Sequence, residues 1–424
     1  MDLIGGLMGL FGQRKSAGGG GGDAYSILNR ILNEGRKSKA GISITREKAM
    51  RVACLFACCR VLADGVSQVP FKVMRKTPSA VSRHPDRNDA DQHPLFDMLY
   101  RRPNGWQTSF EFREQLMLHT LLAPKGAFVF KNLVQLGGRE VLAEMFLLDP
   151  ARVEVKQEAD WSLTYRVRGR DGSMQTLAQN AIWHVRGPSW DGFTSLDTLD
   201  LAREALGLAI ATEETHARFH KNGIRPSGVY SVEGTLNEKQ QKDVVKWLKE
   251  QATEENMGGA LVIDRSAKWY AQQATSGVDA QHVETRNLQL EEICRFMRVL
   301  PIMVGYSDKT ATFASAEAMF LAHLVHTLMP WYERIQQSAD VNLLTTAERQ
   351  AGYYTKLVEG GLLRGDLKAT GEFLARMTER GILERNEARA LLDRNPLAGL
   401  DDPLTPTNLT NIPSGEPAGG NSGA

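Results

Sequence analysis

Residues 197–223, DTLDLAREALGLAIATEETHARFHKNG, decide how the rest of this chain is read. Leu199, Ala202, Leu206, Ala209 and Ile210 recur at helical steps and form one apolar stripe. Gly223 stands where a left-handed residue closes a helix. The segment reads as one long amphipathic helix. Its small residues, Ala202, Gly207, Ala209 and Ala211, invite close approach by a neighbour. Downstream, SGVYSVEG (227–234), NEKQQKDVVKWLKEQA (237–252) and GALVIDRSAKWYAQ (259–272) read as a compact strand–helix–strand unit. A second helix runs from about His282 to Arg298, with Leu290, Ile293, Cys294 and Met297 at i, i+3, i+4 and i+7. The loop VLPIMVGYSDKTATFAS (299–315) follows, then a very long helix from about Ala316 to Leu344. Pro330 lies inside that helix. It lacks a donor N–H and clashes with the preceding turn, so a kink or break is expected there.

Upstream the pattern differs. A first helix is expected from Thr45, a suitable N-cap, to Gly65, with Ala49, Val52, Phe56, Cys59, Ala63 and Val66 at helical spacing. VPFKVMRK (69–76) reads as a strand and TPSAVSRHPDRNDADQ (77–92) as a polar loop. HPLFDMLYRRPN (93–104) is a short helix that stops before Pro103. Thr108 and Glu111 fit a capping box that opens the helix 109–122. GAFVFKNLV, LAEMFLLD, RVEVKQ, LTYRVRG and AIWHVRG then read as meandering strands with period-2 alternation. YYTKLVE (353–359) is a further strand candidate, and 367–381 and 384–395 are two short helices. The whole is an α+β chain in several units.

Composition bounds the function. The 424 residues carry 51 Lys plus Arg against 50 Asp plus Glu, a formal charge of +1. A tight non-specific DNA binder needs a large basic excess, so any DNA contact here is loose or local. The hydrophobic fraction of 42% supports a packed core. The opening MDLIGGLMGLFGQRK places its basic residues after the apolar stretch, the reverse of a secretory signal, and no run approaches the ~18 apolar residues of a membrane span. The glycines 18–22 read as a flexible linker. No Lys-Ser/Thr follows them as a phosphate-binding loop requires. The tail after Asp401 has a disordered composition.

Candidate chemistry is sparse. The cysteines are Cys54, Cys58, Cys59 and Cys294. With no CxxC pair, the three on the first helix read as core packing rather than metal ligands, and neighbouring Cys58 and Cys59 do not suggest a disulfide framework. A reducing compartment at synthesis follows. His216 and His220 lie at i and i+4, a chelating spacing, but HARFH lacks the glutamate of HExxH, so solvent-facing or interface histidines are the simpler reading. The same holds for His323 and His326. Asp149 and Asp171 stand at strand ends as turn residues do, with no second acid or base to pair with. GPSWDG (187–192) lacks the GxSxG elbow, and GxxxxGK[ST] is missing throughout. Neither catalysis nor a cofactor is expected.

Five ordered segments carry a resemblance: TSFEFREQLMLHTLLAPKGAFVF (108–130), residues 181–240 from AIWHVRGPSWDG to GTLNEKQ, DAQHVETRNLQLEEICRFMRVLPIMVGY (279–306), ATFASAEAMFLAHLVHTLMPWYERIQ (311–336), and residues 361–399. In order and spacing the chain resembles the portal proteins of tailed phages, in the group related to phage HK97, from about residue 40 to 405. The resemblance implies a portal-type α+β fold. Residues 1–40 would be a flexible N-terminal segment, 41–195 the wing, 196–223 and 279–299 the paired stem helices, and 224–278 the clip. Residues 300–315 would be the tunnel loop, 316–362 the long kinked helix and its return to the wing, 363–402 the crown and 403–424 a disordered tail.

It further implies a homo-oligomeric ring, a dodecamer, at the capsid portal vertex of the virion, made in the host cytoplasm. Double-stranded DNA would be packaged and ejected through the ring. The implied partners are the terminase large subunit, docking on about 224–275, the major capsid and scaffold proteins, and a head–tail adaptor. The DNA-tunnel residues are then Met303, Tyr306, Ser307, Lys309, Thr310 and Thr312, a mix of apolar and hydroxyl side chains with one cation, suited to weak, non-specific contact. This chain has Leu300-Pro301 where the family usually carries two prolines. Two other readings use the same residues: a different ring-forming connector or capsid-associated structural protein, and a metal-dependent enzyme built on His216 and His220.

Overall fold

The structure, a computed structural model, describes residues 37–169, 171–222, 228–232, 267–271, 276–306, 313–359, 367–392 and 394–404, with isolated positions between 237 and 246. In chain order the strands are β1 (Phe71–Thr77), β2 (Asp86–Asp89), β3 (Ala127–Leu136), β4 (Arg139–Leu148), β5 (Val153–Gln157), β6 (Leu163–Arg168), β7 (Met174–Ala178), β8 (Ile182–Val185), β9 (Gly228–Val232), β10 (Ala267–Ala271) and β11 (Tyr353–Leu357). They pair antiparallel as β4–β3–β8, β5–β6–β7, β11–β1–β2 and β9–β10. Helices and antiparallel sheets segregate along the chain, so the fold is α+β. The chain divides into two compact units, one from 59–197 with 306 onward, the other from the segment ending at Cys58 with 198–305.

In the first unit, β6 shows why the meander was legible. Leu163, Tyr165 and Val167 are buried while Arg166 between them is exposed, the period-2 signature of a strand with one covered face. Those side chains join Phe128, Phe146, Val153, Leu177 and Ile182 in one core that serves the β4–β3–β8 and β5–β6–β7 sheets. Each such burial contributes about 1.5–3 kcal/mol. β3 and β4 turn through Gly137 and Gly138 at φ 58° and 79°, the left-handed pair that a tight two-residue hairpin demands. The helix Ser109–Leu122 opens on the expected capping box. Glu111 Oε2 accepts from Thr108 N at 2.8 Å, and Thr108 Oγ1 accepts from Glu111 N. Buried Arg113 on that helix finds only neutral partners, donating to the carbonyls of Ser67 and Leu99 and to Ser109 Oγ. Burial pushes its guanidinium down to about 10.

Several expectations shift here. The polar stretch 77–92 contains β2, and β7 lies where no strand was read. Both are edge strands of their sheets. β2 buries no side chain and β7 buries only Leu177, so neither leaves an apolar alternation in the sequence. The long helix runs as Phe313–His323, a π turn at Leu324–Leu328, then Met329–Leu343. Pro330 thus falls in the first turn of the last segment, where its missing N–H costs least. Its consequence is this wide turn ahead of it. The last segment packs on β8 and β11, with Tyr332 donating to the Gly65 carbonyl at 2.7 Å and Trp183 Nε1 to Ser338 Oγ at 2.9 Å.

In the second unit the expected first helix is broken. Thr45 caps Arg46–Ala49, accepting from Lys48 N at 3.3 Å, and a new helix starts at Ala53 and continues to Ser67. Between them Arg51 and Val52 bond back only three residues, to Lys48 and Ala49, which tightens the chain out of α geometry.

Candidate functional site

The 197–223 stretch folds as Thr198–Leu201 and Arg203–Asn222, and the second predicted helix as Ser276–Met297. The two long helices pack on each other. Ala202, Ala205 and Leu206 are buried on one, Ile293, Cys294 and Met297 on the other, and Gln289 Nε2 reaches Thr212 Oγ1 at 3.4 Å. Gly207 was expected to admit a neighbour. It is used within the unit instead, since a Cβ there would collide with the Ser38 side chain. Other apolar side chains, outside those stripes, are left uncovered by this pairing. Leu201 and Leu208 on one element pair and Leu288 and Phe296 on the other remain substantially exposed, with Leu201 and Leu288 at 58% and 59%.

The Ser276–Met297 helix ends in a paired turn. Val299 N donates to Cys294 O at 3.0 Å and Arg298 N to Arg295 O at 3.1 Å. Arg298 is left-handed at φ 54°, a place usually given to glycine, and costs about 1–2 kcal/mol there. No glycine marks the site, so the sequence did not announce it. Leu300 is then extended at ψ 136°, as a residue before proline must be, and Pro301–Val304 makes one tight 3-10 turn closed by Gly305 at φ 83°. Met303 lies half-buried in that turn, and Tyr306 is half-buried beyond it. Ser307, Lys309, Thr310 and Thr312 lie outside the described residues.

The other candidates separate. His216 and His220 fall on the Arg203–Asn222 helix, but their side chains lie outside the described residues. His323, read from the sequence as a solvent-facing or interface histidine, does not face solvent. It is buried, its ring nitrogens meet no partner among the described residues, and burial pushes its pKa down. His326, in the π turn, is exposed, so the two histidines do not share a site. Asp149 caps the turn Pro150–Arg152 and Asp171 accepts from Ser173 N and Oγ, as turn residues do. In GPSWDG the serine is structural. Burial pushes the Asp191 carboxyl up, but bonds from Thr194, Phe193 N and Ser189 outweigh it and hold it at about 2. The loop so fixed presents Trp190 almost fully to solvent, which reading the motif for a nucleophile had passed over. Among the described residues no helix is long and apolar enough to cross a membrane.

The model of the phage portal protein family matches residues 53–393. The chain belongs to that family. It is 26% identical to the portal protein of Enterobacteria phage HK97 over 370 residues, covering 85% of this chain and 82% of that one. It is 26% identical to the probable portal protein of Streptomyces phage phiC31 over 396 residues, covering 90% and 83%. In fold it is similar to a chain of the virion of a native gene transfer agent particle, with TM-score 0.59, 20% identity, and 88% and 100% coverage. An HK97-family phage portal protein from Corynebacterium diphtheriae gives TM-score 0.53 at 14% identity, covering 75% and 96%. The α+β portal fold and the portal, head–tail connector role expected from the sequence are borne out.

Proposed function

We propose that this portal subunit assembles into a closed ring, a dodecamer, at one vertex of the virion capsid, through which double-stranded DNA is packaged and later ejected. The observation that carries the ring is the set of exposed apolar side chains on and beside the paired helices. Leu201, Leu208, Leu288 and Phe296 find no cover within the described residues. A head-to-tail contact repeated between identical copies would cover them, and such a contact gives a ring when its rotation closes. A similar chain, at TM-score 0.55, comes from the neck of a native gene transfer agent particle computed with C12 symmetry. Electron micrographs of the purified chain should show rings. A strictly monomeric particle in light scattering at high concentration would sink the proposal.

Within that ring, residues 41–195 serve as wing, 196–223 and 279–299 as stem, 224–278 as clip, 300–315 as tunnel loop, 316–362 as the helix returning to the wing, and 363–402 as crown. The loop around Met303, Tyr306, Ser307, Lys309, Thr310 and Thr312 meets the DNA. One lysine per subunit, on a chain of net charge +1, holds phosphates weakly enough for a duplex to slide. Lys309→Ala is expected to alter packaging or DNA retention and leave ring assembly intact. A ring structure with this loop on the outer wall would overturn the assignment. The terminase large subunit docks on about 224–275 and supplies ATP hydrolysis; the pure chain has none. The capsid and scaffold proteins and a head–tail adaptor complete the partners.

A further inference from the structure

Three sulfurs converge within the unit that contains the paired helices. Cys54 and Cys58 stand one turn apart on the Ala53–Ser67 helix, so both side chains leave the same face. Cys294 comes from the Ser276–Met297 helix. Its Sγ lies 3.8 Å from Cys54 Sγ and 3.9 Å from Cys58 Sγ, and all three sulfurs fall within 4.8 Å of one another. A disulfide needs an S–S distance of about 2.05 Å, so none of these contacts is one. A tetrahedral Zn²⁺ with Zn–S bonds of about 2.3 Å sets its sulfurs roughly 3.8 Å apart. Both contacts of Cys294 therefore match the edge of a thiolate tetrahedron, and the third pair, within 4.8 Å, needs only a small side-chain adjustment to complete a face with one corner open. Cys58 and Cys294 are buried, whereas Cys54 is partly exposed and gives an ion a way in.

We propose that Cys54, Cys58 and Cys294 form a Zn²⁺ site, with water in the fourth position. Soft thiolates select such a cation over the harder divalent ions. Binding is a plain exchange. Three S–H bonds break, three Zn–S bonds form, three protons leave to solvent, and no oxidant or reductant takes part. Cys54 Sγ also lies 3.5 Å from the Leu290 carbonyl, a weak contact that ligation replaces. The protonation pattern agrees. Hydrogen bonds from Cys294 and Cys58 hold the Cys54 thiol below its ordinary range. Sharing those bonds raises Cys58 and Cys294, with burial adding, so their ionisation falls to the charge of the ion itself. The site ties the start of the Ala53–Ser67 helix to the last turn of the Ser276–Met297 helix, immediately before the Arg298 turn. A packing role for the same sulfurs predicts no retained metal.

The test uses the full, untagged chain, purified under reducing conditions and stripped with a chelator. Titration with ZnCl₂ against a chromophoric competitor should give one ion per chain. Co²⁺ in its place should show thiolate charge-transfer bands and the intense visible bands of a tetrahedral site. Zn²⁺ should also slow the reaction of Cys54 with a thiol reagent. Cys54→Ser and Cys294→Ser should each weaken binding at least tenfold, and Cys59→Ala, on the same helix but outside the cluster, should leave it unchanged. Failure of the unsubstituted chain to bind stoichiometrically overturns the proposal without reliance on any variant. So does affinity unchanged in Cys294→Ser, or a Cys54–Cys294 disulfide in the peptide map of the unreduced protein.

Discussion

Acid should destabilise the first unit through His184, and the size of the effect follows from its surroundings. The ring lies on β8, is 4% exposed and stacks on Phe128 with centroids 4.4 Å apart. Its Nε2 is 2.6 Å from the Lys125 carbonyl. A carbonyl only accepts, so Nε2 carries the hydrogen and Nδ1 accepts from the Tyr165 hydroxyl at 3.3 Å. Both partners suit the neutral ring. Burial pushes its pKa down from 6.5 to about 4, the Lys125 bond opposing and the nearby Arg186 charge assisting. Between those values the unfolded chain takes a proton that the folded one refuses. The stabilisation is therefore complete above about pH 6.5, is lost as pH falls towards 4, and is constant below. At 1.36 kcal/mol per pH unit, the window sets a ceiling of about 3 kcal/mol. His184→Gln keeps a donor for Lys125 without the titration. Urea denaturation of both proteins at pH 7 and pH 4.5, at one protein concentration, cancels the carboxylates common to them. The unsubstituted chain should lose about 2–3 kcal/mol more than the variant. Equal losses would refute the argument.

Other perturbations read single contacts. Tyr332→Phe leaves the buried Gly65 carbonyl without its 2.7 Å donor and should cost about 1–2 kcal/mol in denaturant midpoint analysis; unchanged stability would show that the hydroxyl is not engaged. Gly126→Ala forces a side chain to φ 87° and into the Val185 carbonyl, so a loss of more than about 1 kcal/mol is expected from the same measurement. Thr108→Ala removes half of a capping box and should cost about 1 kcal/mol. The Glu111 carboxyl, held below its ordinary range by the Thr108 backbone and hydroxyl, should then titrate higher by NMR.

Much of the fold was legible because its signals are local. The capping box at Thr108 needs only residues three apart, and the β6 alternation only a covered face. The paired helices announced themselves through apolar periodicity, and the ordered segments 108–130, 181–240, 279–306, 311–336 and 361–399 carried the portal resemblance. Elements without a local signature were missed. β2 and β7 are edge strands with almost nothing to bury, and the left-handed Arg298 occupies a place where a glycine would have been the clue.

By itself the sequence determined the helix and strand inventory of the buried elements, the α+β class and the family, since periodicity, caps and turn residues act within a few positions. Only the tertiary structure decided what distant residues do to one another. It placed Cys294 on Cys54 and Cys58 across more than 230 positions of chain. It buried His323 while leaving His326 in solvent, because the π turn ahead of Pro330 changes the spacing between helical faces. It gave Gly207 to Ser38, and left Leu201, Leu208, Leu288 and Phe296 uncovered. Burial and proximity are properties of the packed chain, and hydrophobic spacing along a helix states only that a face must be covered, not by what.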